Sequence, residues 1–205
     1  MPLDVEPAPV RGVWFRHVPA GSAPLLRPER HADGRWQRGE VVEGFYLADS
    51  EETAWAEWYR ALAEAALPPL RLLPRDVWRF EVDVDRVADL SSSKRLERVR
   101  LEPPVPDRRQ WPTYQAVGET LFAEGWSSIL YGAAARHGSF ALCLFRAGEG
   151  LLGVDPIPPP TRHDEPLPAG EGSKPRRDVQ LVGAERARAR LVGLEPTAAR
   201  IGGVG

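Results

Sequence analysis

The amino-acid sequence predicts an α+β domain, a largely antiparallel sheet with flanking helices. Three observations lead there. Short runs rich in β-branched and aromatic residues recur along the chain, the clearest of them alternating with a period of two. Apolar residues at helical spacing appear in fewer places, so strands outnumber helices. The chain has 205 residues, 42% of them hydrophobic, which suits one core better than two.

In chain order, residues 10–18 (VRGVWFRHV) and 41–48 (VVEGFYLA) read as strands, because their side chains suit a pleated, half-buried surface. A helix follows, with Asp49 as its N-cap and Glu52 three residues on in a carboxylate version of the capping box. It runs to about Ala66, before Pro68 and Pro69. Residues 77–84 (VWRFEVDV) set Trp78, Phe80, Val82 and Val84 on one face of a strand and Arg79, Glu81 and Asp83 on the other. A second helix starts after Pro112; Tyr114, Val117 and Leu121 share a face, and Gly125 lies just past its end. Residues 126–132 and 139–146 are apolar runs joined by a Gly-containing turn, consistent with adjacent strands. Beyond Gly150 the chain turns rich in Pro, Gly and charge, too polar for a packed layer. The expected organisation is therefore a domain over residues 1–150 and an extension over 151–205, with a short helix at 180–193.

Composition narrows the function classes. A net charge of -2 gives no electrostatic reason for nucleic acid or an anionic membrane as partner. Cys143 is the sole cysteine, so an internal disulfide and a cysteine zinc site are both excluded. His17, His31, His137 and His163 lack metal-ligand spacing, and no metal is expected. The start of the chain is acidic and Pro-interrupted, unlike a signal peptide, and no stretch reaches the roughly 18 apolar residues of a membrane span. A cytoplasmic protein is the expectation. Neither GxGxxG nor the order of a phosphate-binding P-loop occurs, so a nucleotide would be held another way.

Four positions could carry chemistry. Arg16 sits inside the apolar strand WFRHV, where an unpaired charge is expensive; it should meet a carboxylate or an anionic ligand. Arg35 lies in the Gly-flanked turn ADGRWQRG and is either a surface arginine or a fork for phosphate oxygens. Tyr46 is either a core ring with a satisfied hydroxyl or a platform for a ligand. Glu57 borders the apolar stripe of Trp55, Trp58 and Leu62 beside the small Ala54 and Ala61, as a solvated helix-edge carboxylate or as one facing a ligand.

The ordered series WFR at 14–16, GRW at 34–36, FYLADSEETAWAE at 45–57, YQAVGETLFAEGW at 114–126 and ILYGAAARHGSFALCLF at 129–145 resembles the RES family, named for an Arg, a Glu and a Ser. The likeness spans about Val10 to Phe145. It implies a fold like that of ADP-ribosyltransferases and the activity of the family's studied members, toxins of bacterial toxin–antitoxin pairs that break down NAD by phosphorolysis or hydrolysis. NAD would be a substrate, with no cofactor. The resemblance puts catalytic roles on Glu57, Arg35 and Tyr46, and NAD binding on Arg16, Arg35, Trp36 and Tyr46. It also implies an antitoxin partner with an Xre-type helix-turn-helix domain. Two departures stand out: Ala133 occupies the place of the motif serine, and His17 follows Arg16 where relatives often have Tyr. The readings that follow are an NAD-cleaving toxin, a protein ADP-ribosyltransferase, or a catalytically impaired partner-binding protein. The chemistry suits the two enzymatic readings, because breaking a nicotinamide glycosidic bond leaves an oxocarbenium-like sugar that a nearby carboxylate stabilises.

Overall fold

Strand β3 (Arg75–Leu90) is the spine of the sheet in the computed structural model, which describes residues 2–146, 148, 150–167 and the backbone of 180–181. One edge of β3 pairs antiparallel with β1 (Pro7–Pro19). The other pairs with β6 (Val154–His163) and, in parallel, with β4 (Ser128–Gly132). From β4 the sheet continues through β5 (Phe140–Arg146) to β2 (Glu43–Ala48), which meets β1 at Phe15–Ala48. The pairings thus close a ring of strands. Parallel β3 and β4 need a long crossover, and residues 91–127 supply it with helices α2 (Ser93–Arg98) and α3 (Trp111–Ala123). The expected α+β class and mostly antiparallel sheet are both found.

Both faces of the central strands are covered, which is why β4 and β5 read as continuous apolar runs. Leu130, Leu142 and Leu144 join Trp14, Phe45 and Phe80 in one cluster. Ile129, Tyr131, Cys143 and Phe145 point the other way, into a second cluster with Trp36, Tyr114 and Leu121. Helix α1 (Glu51–Glu64) seats Trp55, Trp58 and Leu62 against Val77. Fully burying one such side chain contributes about 1.5–3 kcal/mol. Among the described residues no helix is long and apolar enough to cross a membrane.

Several boundaries differ from expectation. The N-cap of α1 is Ser50, whose Oγ accepts the Thr53 N–H at 3.1 Å. Asp49 instead accepts the Phe140 N–H at 2.8 Å, satisfying a donor at the start of β5. The segment after Gly150 is not excluded from the packed layer: β6 joins the sheet there, beyond the expected boundary at 150. Its prolines are tolerated because β6 is an edge strand, with one side free of ladder bonds. Gln180 and Leu181, where a helix was expected to begin, form the short strand β7 against Arg11 and Val10. The remainder of 180–193 lies outside the described residues.

Two contacts hold these pieces in place. A Cβ on Gly118 of α3 would lie 1.9 Å from the Trp36 carbonyl oxygen, so the missing side chain lets the helix close on the GRW turn. Gly118→Ala is expected to destabilise the protein by about 1–3 kcal/mol, despite alanine's better helix propensity; urea unfolding reads the loss. Asp76, 3% exposed, accepts Arg162 Nε and Nη2 at 2.7 and 2.9 Å and the Gly21 N–H at 2.7 Å, tying β6 and the turn after β1 to β3. The hydrogen bond from Arg162 holds its carboxyl below the usual aspartate value. The stability it contributes is therefore present above the unfolded-state pKa and lost as pH falls through the lowered one. Asp76→Asn should cost about 1–3 kcal/mol at neutral pH, and the gap from the parent protein should narrow in unfolding curves taken at increasingly acidic pH.

Candidate functional site

Strands β1 and β2, helix α1 and the turn around Arg35 enclose a cleft of about 420 Å³. Arg16 enters it from β1. Its Nη1 donates to the Tyr46 carbonyl at 3.2 Å, and its guanidinium carbon lies 4.2 Å from the centre of the Phe45 ring. Among the described residues it has no acidic partner, and its buried Nε has no acceptor. Burial, reinforced by Arg146 and Arg75, pushes its pKa down to about 10. The sequence called for a carboxylate or an anionic ligand for this charge, and among the described residues no carboxylate pairs with it.

Arg35 is a buried arginine, 5% exposed, and not a surface one. Its Nη2 donates to the Val105 carbonyl at 2.9 Å, its guanidinium lies over the Tyr114 ring, and its Nη1 is buried without a partner. Helix α3 fixes the turn beneath it, because Gln115 Nε2 donates to the Gly34 carbonyl at 2.9 Å. The neighbouring Trp36 is not a ligand platform. It is fully buried, edge-on to Tyr114 and Tyr131, and absent from the cleft wall. Tyr46 does line the cleft. Its hydroxyl accepts the Trp36 N–H at 3.2 Å and donates to Gln37 Oε1, and burial drives its pKa well above the ordinary phenol value. That hydroxyl is committed to the turn as a neutral phenol, so proton transfer is not what Tyr46 offers.

Glu57 faces the same cleft from α1. Its Oε1 accepts the Ala135 N–H at 2.9 Å and its Oε2 accepts Arg60 Nε at 2.9 Å. Arg60 reaches on to Glu64, which also receives Arg108 Nε at 2.6 Å. The carboxylate is therefore fixed in position from both sides. Ala133, where the resemblance expects serine, packs its methyl against the cluster under α3, and its N–H donates to the Ser139 carbonyl at 2.9 Å.

Arg16, Arg35, Tyr46 and Glu57, distant in sequence, thus share one cleft. Sequence reasoning missed Arg60, Arg75 and Trp58, which also line it. Arg75 lies two residues before the strand read at 77–84, and arginine is too common here for it to stand out. The resulting arrangement sets Arg16, Arg35 and Arg75, none with an acidic partner among the described residues, in one cleft with the fixed Glu57 carboxylate, Asp33 and several aromatic rings. Such an arrangement has the chemistry to accept an anionic ligand and to stabilise positive charge developing beside the carboxylate.

No curated protein matches the chain. Among solved structures, a chain of the M. tuberculosis MbcT–MbcA toxin–antitoxin complex has the same fold, with a TM-score of 0.61 and 21% identity over 78% of this chain and 86% of that one. The family model described as the RES domain matches residues 12–170, a span that contains Arg16, Arg35, Tyr46 and Glu57. By that match, the chain belongs to the RES family.

Proposed function

We propose that the protein is a RES-type toxin that degrades NAD by cleaving the bond between nicotinamide and ribose, with phosphate or water as acceptor. The observation that carries this reading is the Glu57 carboxylate, held from both sides in a cleft where, among the described residues, Arg16 and Arg35 have no acidic partner. Two guanidinium groups suit the pyrophosphate of a dinucleotide, whose oxygens accept their forked N–H groups. The rings of Tyr46 and Trp58 offer flat surfaces for nicotinamide or ribose. As the glycosidic bond breaks, its electron pair passes to the nicotinamide nitrogen, which leaves neutral. The sugar carbon takes up the positive charge, Glu57 stabilises it, and an oxygen of phosphate or water then bonds to that carbon. When the acceptor is water, its spare proton passes to solvent. NAD is consumed as substrate, and the cytoplasm is where it is abundant.

The partner proposed is an antitoxin with an Xre-type helix-turn-helix domain. Its support is the RES domain and the fold shared with a chain of a toxin–antitoxin complex.

Incubating the purified protein with NAD, with and without phosphate, and measuring nicotinamide tests the reading directly. Release is expected, and Glu57→Gln should lower it about 10²–10³-fold; no release under either condition, or full activity in the variant, overturns it. Label from NAD appearing on protein instead of on free ADP-ribose would favour the transferase reading.

A further inference from the structure

Arg75 stands at the head of β3 in the cleft wall, and its surroundings are unlike those of any paired arginine in the protein. Both Nε and Nη2 point at one atom, Nδ1 of His17, at 3.2 and 2.8 Å. A guanidinium carries no acceptor, so that imidazole nitrogen must be unprotonated. His17 is itself held between Trp55, stacked at 5.8 Å, and Trp58, edge-on at 5.3 Å. Burial and the flanking Arg75 and Arg16 push its pKa well below the ordinary value, so it stays neutral. The Arg75 guanidinium also lies 5.2 Å from the centre of the Trp58 ring. Its orientation is thus fixed by an imidazole and an indole, neither of which cancels its charge. Among the described residues no carboxylate pairs with it, and Nη1 and the second N–H of Nη2 are left to donate.

We infer that Arg75 is a further anion-binding residue of the cleft, donating to a phosphate group of the bound molecule, and that His17 is the positioning residue that aims it. This deepens the proposed NAD reading, and for a dinucleotide the group contacted is a pyrophosphate or acceptor phosphate oxygen. The recognition chemistry itself requires only a phosphoryl group, so it can be tested without turnover.

Titration calorimetry of the full chain with inorganic pyrophosphate provides the test. Arg75→Gln should weaken binding about tenfold or more, while Arg79→Gln, on the exposed face of the same strand, should leave it unchanged. His17→Phe keeps a flat ring but removes the acceptor and should weaken binding in the same direction; His17→Gln, which restores an acceptor, should recover part of it. Circular dichroism identifies any variant that fails to fold, and Arg75→Lys, retaining charge without the fork, then stands in with an intermediate affinity expected. Unchanged binding in Arg75→Gln, an equal loss in Arg79→Gln, or no pyrophosphate binding by the parent protein overturns the inference. If pyrophosphate binding depends on Arg75 while NAD is not cleaved, the activity reading fails and this one stands.

Discussion

The meeting of β1 and β2 at Phe15–Ala48 is the constraint on which the site depends. Elsewhere β1 is held by β3, and β2 by β5, so this contact turns two separate edges into a closed ring. Closure sets Arg16, the residue after Phe15, against Tyr46 and allows its bond to the Tyr46 carbonyl. It also fixes the origin of α1, which begins three residues after Ala48 and carries Glu57 to the same opening. Pairing energy from the sheet is thereby spent on positioning side chains far apart in sequence. Closed pairing also removes a strand edge that would otherwise template association.

The electrostatics of the cleft differ from those of the rest of the protein. Behind it, Arg146 pairs with Glu43 at 2.9 Å, with side chains only 1% and 8% exposed, so its charge is neutralised where it is buried. In the cleft, the partners of Arg16, Arg35 and Arg75 are carbonyl oxygens, an imidazole nitrogen and ring faces. Each ring contact stabilises a cation by about 0.5–2 kcal/mol without cancelling its charge. Dehydrating a guanidinium on those terms leaves the folded protein short of an anion. On the proposed reading, a ligand with several phosphate oxygens would supply what the chain itself withholds, and its binding would offset the cost of gathering like charges.

Much of this was legible because burial constrains residue type. Arg16 stood out as a charge inside an apolar strand, and Glu57 as a carboxylate beside small residues on an amphipathic helix. The alternation over 77–84 identified the buried face of β3. Trp36 misled for a physical reason: an aromatic ring beside an arginine suits a ligand wall, but the missing side chain at Gly118 lets α3 close over it. Strand β6 was illegible because its prolines argue against a strand, and only its edge position tolerates them. Arg60 and Arg75 were hidden by composition, since arginine supplies nearly all the positive charge and no single one is informative until its partners are known. The cap of α1 shifted by one residue because Asp49 was needed at the start of β5.

The absence of a hydroxyl at Ala133 leaves the holding of the Glu57 carboxylate intact. Glu57 is held on one oxygen by a backbone N–H, that of Ala135, a donor that a side-chain replacement at 133 does not remove. Its other oxygen belongs to the chain Arg60–Glu64–Arg108, which ties α1 to the segment before α3. That segment also carries Val105, whose carbonyl holds Arg35. One run of backbone therefore steadies both the carboxylate and a guanidinium of the cleft, independently of residue 133.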